Sequence, residues 1–431
     1  MTLRRRVVAI FGAALAAILA GCQDPHAGKV RLRYMAWGNV QQLALEERMV
    51  ELFNRQNPDL HVELFKVPQS AYANKAVVMF ASRTAPDVVR IDHYNFAQLA
   101  ERDYFLDLGP LAKADPDFDE SDFFPLAMQE NRHKGRLLGL NALFGGAIMI
   151  YNKTLLRQEG LEDPFALSQR GEWTTERLLD YAKRLTKFDP GGRPVQFGIN
   201  HPGMPFYIGL MYGFGGQLLD DDLKGSALDR PETIAALQYI SDLRWRHRVC
   251  PSPSQGANAA FAFETGRLAM EFNYVGATAR YREMIRDFEW DICPFPRGPK
   301  AKSLFVKGNQ LVIYKESRHP KEAWRLLRFL TGEEAETILY LEERRQSPTR
   351  IALARSRRFT HPDQPPYNMA AVAETVQEGK VLPIDERWPE VMQAVGPELE
   401  NLFAGRERDA RKAALRAHAA VEKVLNEEPG L

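Results

Sequence analysis

Between Val30 and Ile91 the chain switches repeatedly between two hydrophobic periods, and this switching constrains the fold more than any other feature. Apolar and other residues alternate from Val30 to Trp37, the period of a strand. Leu45, Met49, Leu52 and Phe53 then recur at i, i+4, i+7 and i+8, one face of a helix that ends before Asn57-Pro58. His61 to Val67 reads as a second strand, Ala71 to Ala81 as a second helix and Asp87 to Ile91 as a third strand. Strands separated by helices at this spacing form βαβ units, with parallel strands and right-handed crossovers. The expected architecture is an open α/β layer.

Further helices are expected at Trp173 to Lys187 and at Pro231 to Arg246, the latter with proline in its first turn. Pro320 repeats that device before the stripe Ala323, Leu326, Leu327 and Leu330, and residues 405–426 form a final charged, alanine-rich helix. At about 100–200 residues per domain, 431 residues and 45% apolar content suggest two or three domains with a core that needs no disulfide staples. Lys and Arg number 57 against 56 Asp and Glu, and no basic cluster lies beyond the first few positions, so nucleic acid is not an expected partner.

The N-terminus narrows the compartment. Arg4, Arg5 and Arg6 precede an uncharged apolar run from Val7 to Ala20, the pattern of a secretory signal peptide over residues 1–21. That run is shorter than the roughly 20 residues a membrane-crossing helix needs. LAGC at 19–22 resembles a bacterial lipobox, which implies an acylated Cys22 as the new N-terminus and residues 22–29 as a lipidated tether. Losing three arginines and no acid leaves 54 basic residues against 56 acidic ones, a slightly acidic exported body. Cys250 and Cys293 then remain, and their spacing is compatible with a disulfide or with two buried thiols.

Most catalytic signatures are missing: the sequence has no GxSxG, no GxxxxGK[ST] and no HExxH. YGFGGQ at 212–217 lacks the third glycine of a dinucleotide fingerprint and reads as a turn. Asp115, Asp117 and Asp119 imitate the start of a calcium loop, but Glu120 and Leu126 stand where glycine and a bidentate glutamate are needed. No cofactor and no metal is expected. A pair of carboxylates for glycoside hydrolysis needs proximity only in space, so a lipoprotein glycosidase or lyase stays open.

Eight collinear blocks span nearly the whole mature chain: AWGN (36–39), LFNRQNPDLHVELFKVP (52–68), YANKAVVMFASRTAPDVVRID (72–92), IYNKTLL (150–156), EWTTERLLDYAKRLT (172–186), FETGRLAMEFN (263–273), ESRHPKEAWRLLRFLTGEEAE (316–336) and SPTRIAL (347–353). Together they resemble the extracellular solute-binding proteins of ABC importers, in the large carbohydrate-binding family that includes maltose-, trehalose- and glycerol-3-phosphate-binding proteins. The resemblance implies an α/β, two-lobed periplasmic-binding-protein fold with interwoven lobes, a hinge and a central cleft. By matching blocks, lobe one holds residues 30–142 and 306–348, and lobe two holds 143–305 and 349–431. The implied role is capture of a sugar or oligosaccharide in the cleft and delivery to a membrane permease with its ATPase subunits, without catalysis. A glycerol-phosphate or polyol ligand, or a sensory receptor in place of the permease, fits the same resemblance.

A sugar offers hydroxyls at its rim and C–H patches on its faces, so its site needs aromatic planes and many directional polar groups. In α/β sheets ligands lie beyond the carboxyl ends of strands. That rule selects Trp37 and Asn39 after the first strand and Asp92 and Tyr94 after the third, with Asp92 equally suited to cap the following helix. The family resemblance adds Tyr72, Asn141, Phe144, Tyr207, Tyr212, Asn273, Tyr274, Gly308, Asn309, Arg345 and Arg387. Many relatives carry tryptophan where Tyr274 stands. Aromatic dominance favours a neutral oligosaccharide, whereas Arg345 or Arg387 in the cleft would suit an acidic one.

Overall fold

The computed structural model describes residues 26–342, 347–382 and 386–427. The expected signal peptide, the acylated Cys22 and the candidate ligand contact Arg345 lie outside them. Strand β1 (Val30–Trp37), helix α1 (Val40–Gln56), β2 (Leu60–Val67), α2 (Gln69–Ala81) and β3 (Val88–Asp92) follow the order that the periodicity predicts. β1 pairs in parallel with β2 along eight residues, Val30 with Leu60 through Trp37 with Val67, and with β3 at Tyr34–Val88 and Met35–Val89. Alternation sends Leu32, Tyr34 and Ala36 to one face of this sheet and Met35 to the other, and both faces are covered by helices. α1 starts at a reciprocal capping box between Asn39 and Gln42 and ends where Asn57 donates its backbone N–H to Phe53 O at 2.9 Å.

Beyond β3 the sheet is no longer parallel. Helices α3 (His93–Glu101) and α4 (Pro125–Glu130) lead to β4 (Leu140–Asn152), a strand of 13 residues. Its first half pairs antiparallel with β8 (Phe305–Ile313), from Leu140–Leu311 to Gly146–Val306. Its second half pairs with β6 (Leu268–Tyr274) and β7 (Trp290–Cys293), both antiparallel. β5 (Pro194–Ile199) lies parallel to β6, and β8 closes the first group of strands by pairing antiparallel with β3, Asn309 opposite Asp92. One sheet thus runs through two lobes, changing partners in the middle of β4. A further strand, β9 (Lys380–Val381), crosses beside Phe305–Val306.

The second lobe closes around α5 (Thr175–Leu185), α6 (Phe206–Phe214), α7 (Pro231–Trp245), α10 (Trp388–Phe403) and α11 (Ala410–Asn426), whose apolar faces share one large buried cluster. α8 (Pro320–Leu330) packs on the first lobe, and α9 (Ala370–Glu378) presses against β4 at Gly146. A side chain at Gly146 would collide with Thr375 Cγ2 and come within 2.8 Å of Phe305 O, so the close approach requires glycine. Two readings of the sequence change, and one open alternative is decided. Tyr212 to Phe214 complete α6, and the turn begins at Gly215, whose left-handed φ of 84° caps the helix. The final helix starts at Ala410, capped by Asp409, and is preceded by α10, which Gly396 and Pro397 disguise in the sequence. Cys250 and Cys293 are separate buried thiols.

Candidate functional site

A cavity of about 570 Å³ opens between the lobes, within the size range of small-molecule pockets, roughly 300–1,000 Å³. From the first lobe it is lined by Trp37 at the end of β1, Asp92 at the end of β3 and Tyr94 at the start of α3. These are the carboxyl ends of parallel strands, where the general rule for α/β sheets places ligands. Tyr274 ends β6 and Gly276 follows it in the second lobe, and Lys307, Gly308 and Asn309 contribute the floor where β8 passes between the lobes.

Below Trp37 lies a buried polar network. The Arg90 guanidinium sits 4.7 Å from the centre of the Trp37 ring, donates to Trp37 O and pairs with the Glu46 carboxylate. Glu46 also accepts the Tyr34 hydroxyl at 2.9 Å. Arg90 and Glu46 side chains are 4% and 6% exposed, so each charge depends on the other. Asp92 caps α3 by accepting the Tyr94 N–H at 2.9 Å, and it still lines the cavity. The cap read for it in the sequence is therefore present, and its place in the lining leaves it available to a ligand.

Tyr94 and Tyr274 face each other across the cavity with the Lys307 ammonium between them, 4.7 Å from one ring centre and 5.5 Å from the other. Burial holds both phenols well above the ordinary value of 10, so each stays protonated. The Tyr274 hydroxyl and the Trp37 indole N–H are enclosed without a hydrogen-bond partner among the described residues. Two directional groups, one from each lobe, therefore lack the bond that buried polar atoms normally have.

The other candidates are used elsewhere. Asn39 spends its side chain on the capping box, and its partner Gln42 lines the cavity in its place. Tyr72 is buried beneath Trp37 and donates its hydroxyl to Met35 O at 3.2 Å. Asn141 is held by Glu130 at 2.6 Å and Asn131 at 2.5 Å, and Phe144 is fully buried against Ala354 and Val376. Tyr207 and Tyr212 belong to the second-lobe core. The Asn273 side chain turns back to accept the Tyr274 N–H at 2.8 Å. Arg387 pairs with Glu390 at 2.5 Å and donates to Glu427 O at 2.6 Å, fastening the chain's last helix.

Sequence reasoning missed Arg90, Glu46 and Lys307, each of which sits inside a regular element rather than at its end. A signal existed: Lys307 is the single charged residue in the strand FVKGNQLVI.

The sequence profile described as bacterial extracellular solute-binding protein matches residues 38–337, which include most of this cavity's lining. The chain belongs to that family. Among curated relatives, YcjN of Escherichia coli is 22% identical over 283 residues, 63% of this chain and 62% of its own length, so the match spans under two thirds of that relative. The arabinooligosaccharide-binding protein of Bacillus subtilis is 23% identical over 340 residues, 74% of each chain. The fold matches an ABC substrate-binding protein of Listeria monocytogenes, solved with cycloalternan, with a TM-score of 0.80 at 23% identity, over 93% of this chain and 100% of that one. Like the family as a whole, this solute-binding protein has the two-lobed α/β fold. Among the described residues no group of three or more His, Cys, Asp or Glu could hold a metal ion, and no helix is long and apolar enough to cross a membrane.

Proposed function

We propose that this solute-binding protein captures a sugar or small oligosaccharide between its lobes and delivers it to an ABC permease. The observation that carries the reading is one interlobe cavity lined by Trp37, Asp92 and Tyr94 from the first lobe and by Tyr274 and Gly276 from the second. A ligand that contacts both walls favours the closed arrangement by its differential affinity, and closure is a hinge motion at the crossing strands. The names of the relatives, which bind arabinooligosaccharide and cycloalternan, support a carbohydrate. The division into residues 30–142 with 306–348, and 143–305 with 349–431, is supported by two large core clusters that each stay within one lobe, while a small cluster at the crossings joins Phe124, Ala127 and Val306 to Phe144, Ala354 and Val376.

The protein acts by binding rather than catalysis: Glu46 and Asp92, the two carboxylates of the lining, are committed to Arg90 and to the α3 cap. Neither is placed as a free acid or base for glycoside cleavage. Export by the signal peptide and acylation of Cys22 hold the body at a membrane surface, in the periplasm or outside the cell. The test is a thermal-shift screen against sugars, polyols and glycerol phosphates, because binding to the native state raises its melting temperature. A rise with one carbohydrate class supports the reading, and a flat response to all of them overturns it.

A further inference from the structure

The cavity contains four charged side chains, and three of them have partners within the protein. Arg90 and Glu46 neutralise each other in a buried pair. Asp92 receives the Tyr94 N–H and stands at the N-terminus of α3, where the helix dipole favours negative charge. Lys307 has neither a carboxylate nor a carbonyl partner among the described residues, and its contacts are the two tyrosine rings. Lys307 is thus the one charge of the lining without a hydrogen-bonded or oppositely charged partner among the described residues, and its position calls for an anionic acceptor.

The two rings sharpen the choice. A neutral sugar that stacked its C–H face on Tyr94 or Tyr274 would have to displace the ammonium and lose its cation–π contacts. A ligand carrying an anionic group can leave the half-buried ammonium between the rings and form a charge-assisted bond to it there. We propose that the cavity selects a carbohydrate bearing a carboxylate or a phosphate, and that Lys307 is the residue that reads that group. This rests on the carbohydrate reading above and replaces the neutral ligand that aromatic content alone favours.

The experiment offers the full chain, purified in detergent, a panel of mono- to trisaccharides, each as neutral sugar, uronic acid and phosphate ester, with binding read by thermal shift and calorimetry. Binders are expected among the acids, and the uronate and phosphate arms show which anion is taken. Lys307→Gln is expected to weaken the acidic binder by roughly tenfold to a hundredfold with the unliganded melting temperature unchanged, and Lys307→Arg to retain most of the affinity. A neutral sugar bound as tightly as its acid, or an acid bound equally by Lys307→Gln, overturns the assignment while leaving sugar binding intact. No binding by any member of the panel overturns the carbohydrate reading and this one with it.

Discussion

The carboxylate of Glu130 accepts the backbone N–H of Gly308 at 2.5 Å, joining residues 178 apart in the chain. The same carboxylate receives Asn141 Nδ2 at 2.6 Å and lies 2.6 Å from His93 Nδ1, while His93 Nε2 lies 3.2 Å from Leu382 O. Two crossings between the lobes, at β4 and β8, thereby meet with Leu382, just after β9, in one buried polar knot. Gly308 fits because any side chain there would overlap Asn141, Leu143 and Glu130. Glu130→Gln keeps the shape and loses the charge, so a destabilisation of about 2 kcal/mol is expected in urea unfolding. A variant as stable as the parent would show that the knot contributes nothing.

Tyr274→Phe removes a hydroxyl that has no hydrogen-bond partner among the described residues. Its thermal stability is therefore expected to be unchanged or slightly raised, since a buried unsatisfied group is costly. Ligand affinity is expected to fall by roughly twofold to tenfold, the worth of one net hydrogen bond. Trp37→Phe, which keeps a ring beneath the cavity, should behave alike. Calorimetry showing parental affinity in both variants would remove these groups from the ligand's contacts.

Arg90→Met leaves Glu46 as a buried charge with only the Tyr34 hydroxyl for support. A loss of about 3–5 kcal/mol is expected for the single variant, and most of it should return in Arg90→Met with Glu46→Leu. A double variant no better than the single one would mean that the guanidinium matters for reasons other than Glu46.

Glu336 gives a pH dependence. Burial raises its carboxyl from an ordinary 4.5 to about 7, against the opposing hydrogen bonds from the Thr349 hydroxyl and the Thr349 and Arg350 N–H groups. As pH rises from 4.5 to about 7 the unfolded chain loses this proton and the folded chain keeps it, so stability present at lower pH is lost across that window. The whole effect amounts to about 3 kcal/mol. Unfolding of Glu336→Gln across this range should lack the decline, and parallel curves for parent and variant would contradict the assignment.

The first three strands and their helices were legible because each carries its own period and its own stop, such as Asn57-Pro58 after α1. β4 was not, because its change of partner at Gly146–Ala147 depends on strands more than a hundred residues away and leaves no local trace. The strand-end rule alone selected Trp37, Asp92 and Tyr94, which line the cavity, and Asn39, which caps α1 instead. Reading by resemblance placed Asn141 and Phe144 near the right crossing, but a position in a strand does not tell which face the side chain takes, and both turn into the packed interior. Lys307 escaped because its role comes from two rings, Tyr94 and Tyr274, that converge only in the folded chain.

A single uninterrupted β4 in the sheets of both lobes also restricts how genes of this kind can change. Cutting the coding sequence at any one point near residues 140–152 leaves each product short of strands that its sheet requires. Neither half therefore carries the strands of a complete lobe, and the cavity exists only where both halves of the chain are present together.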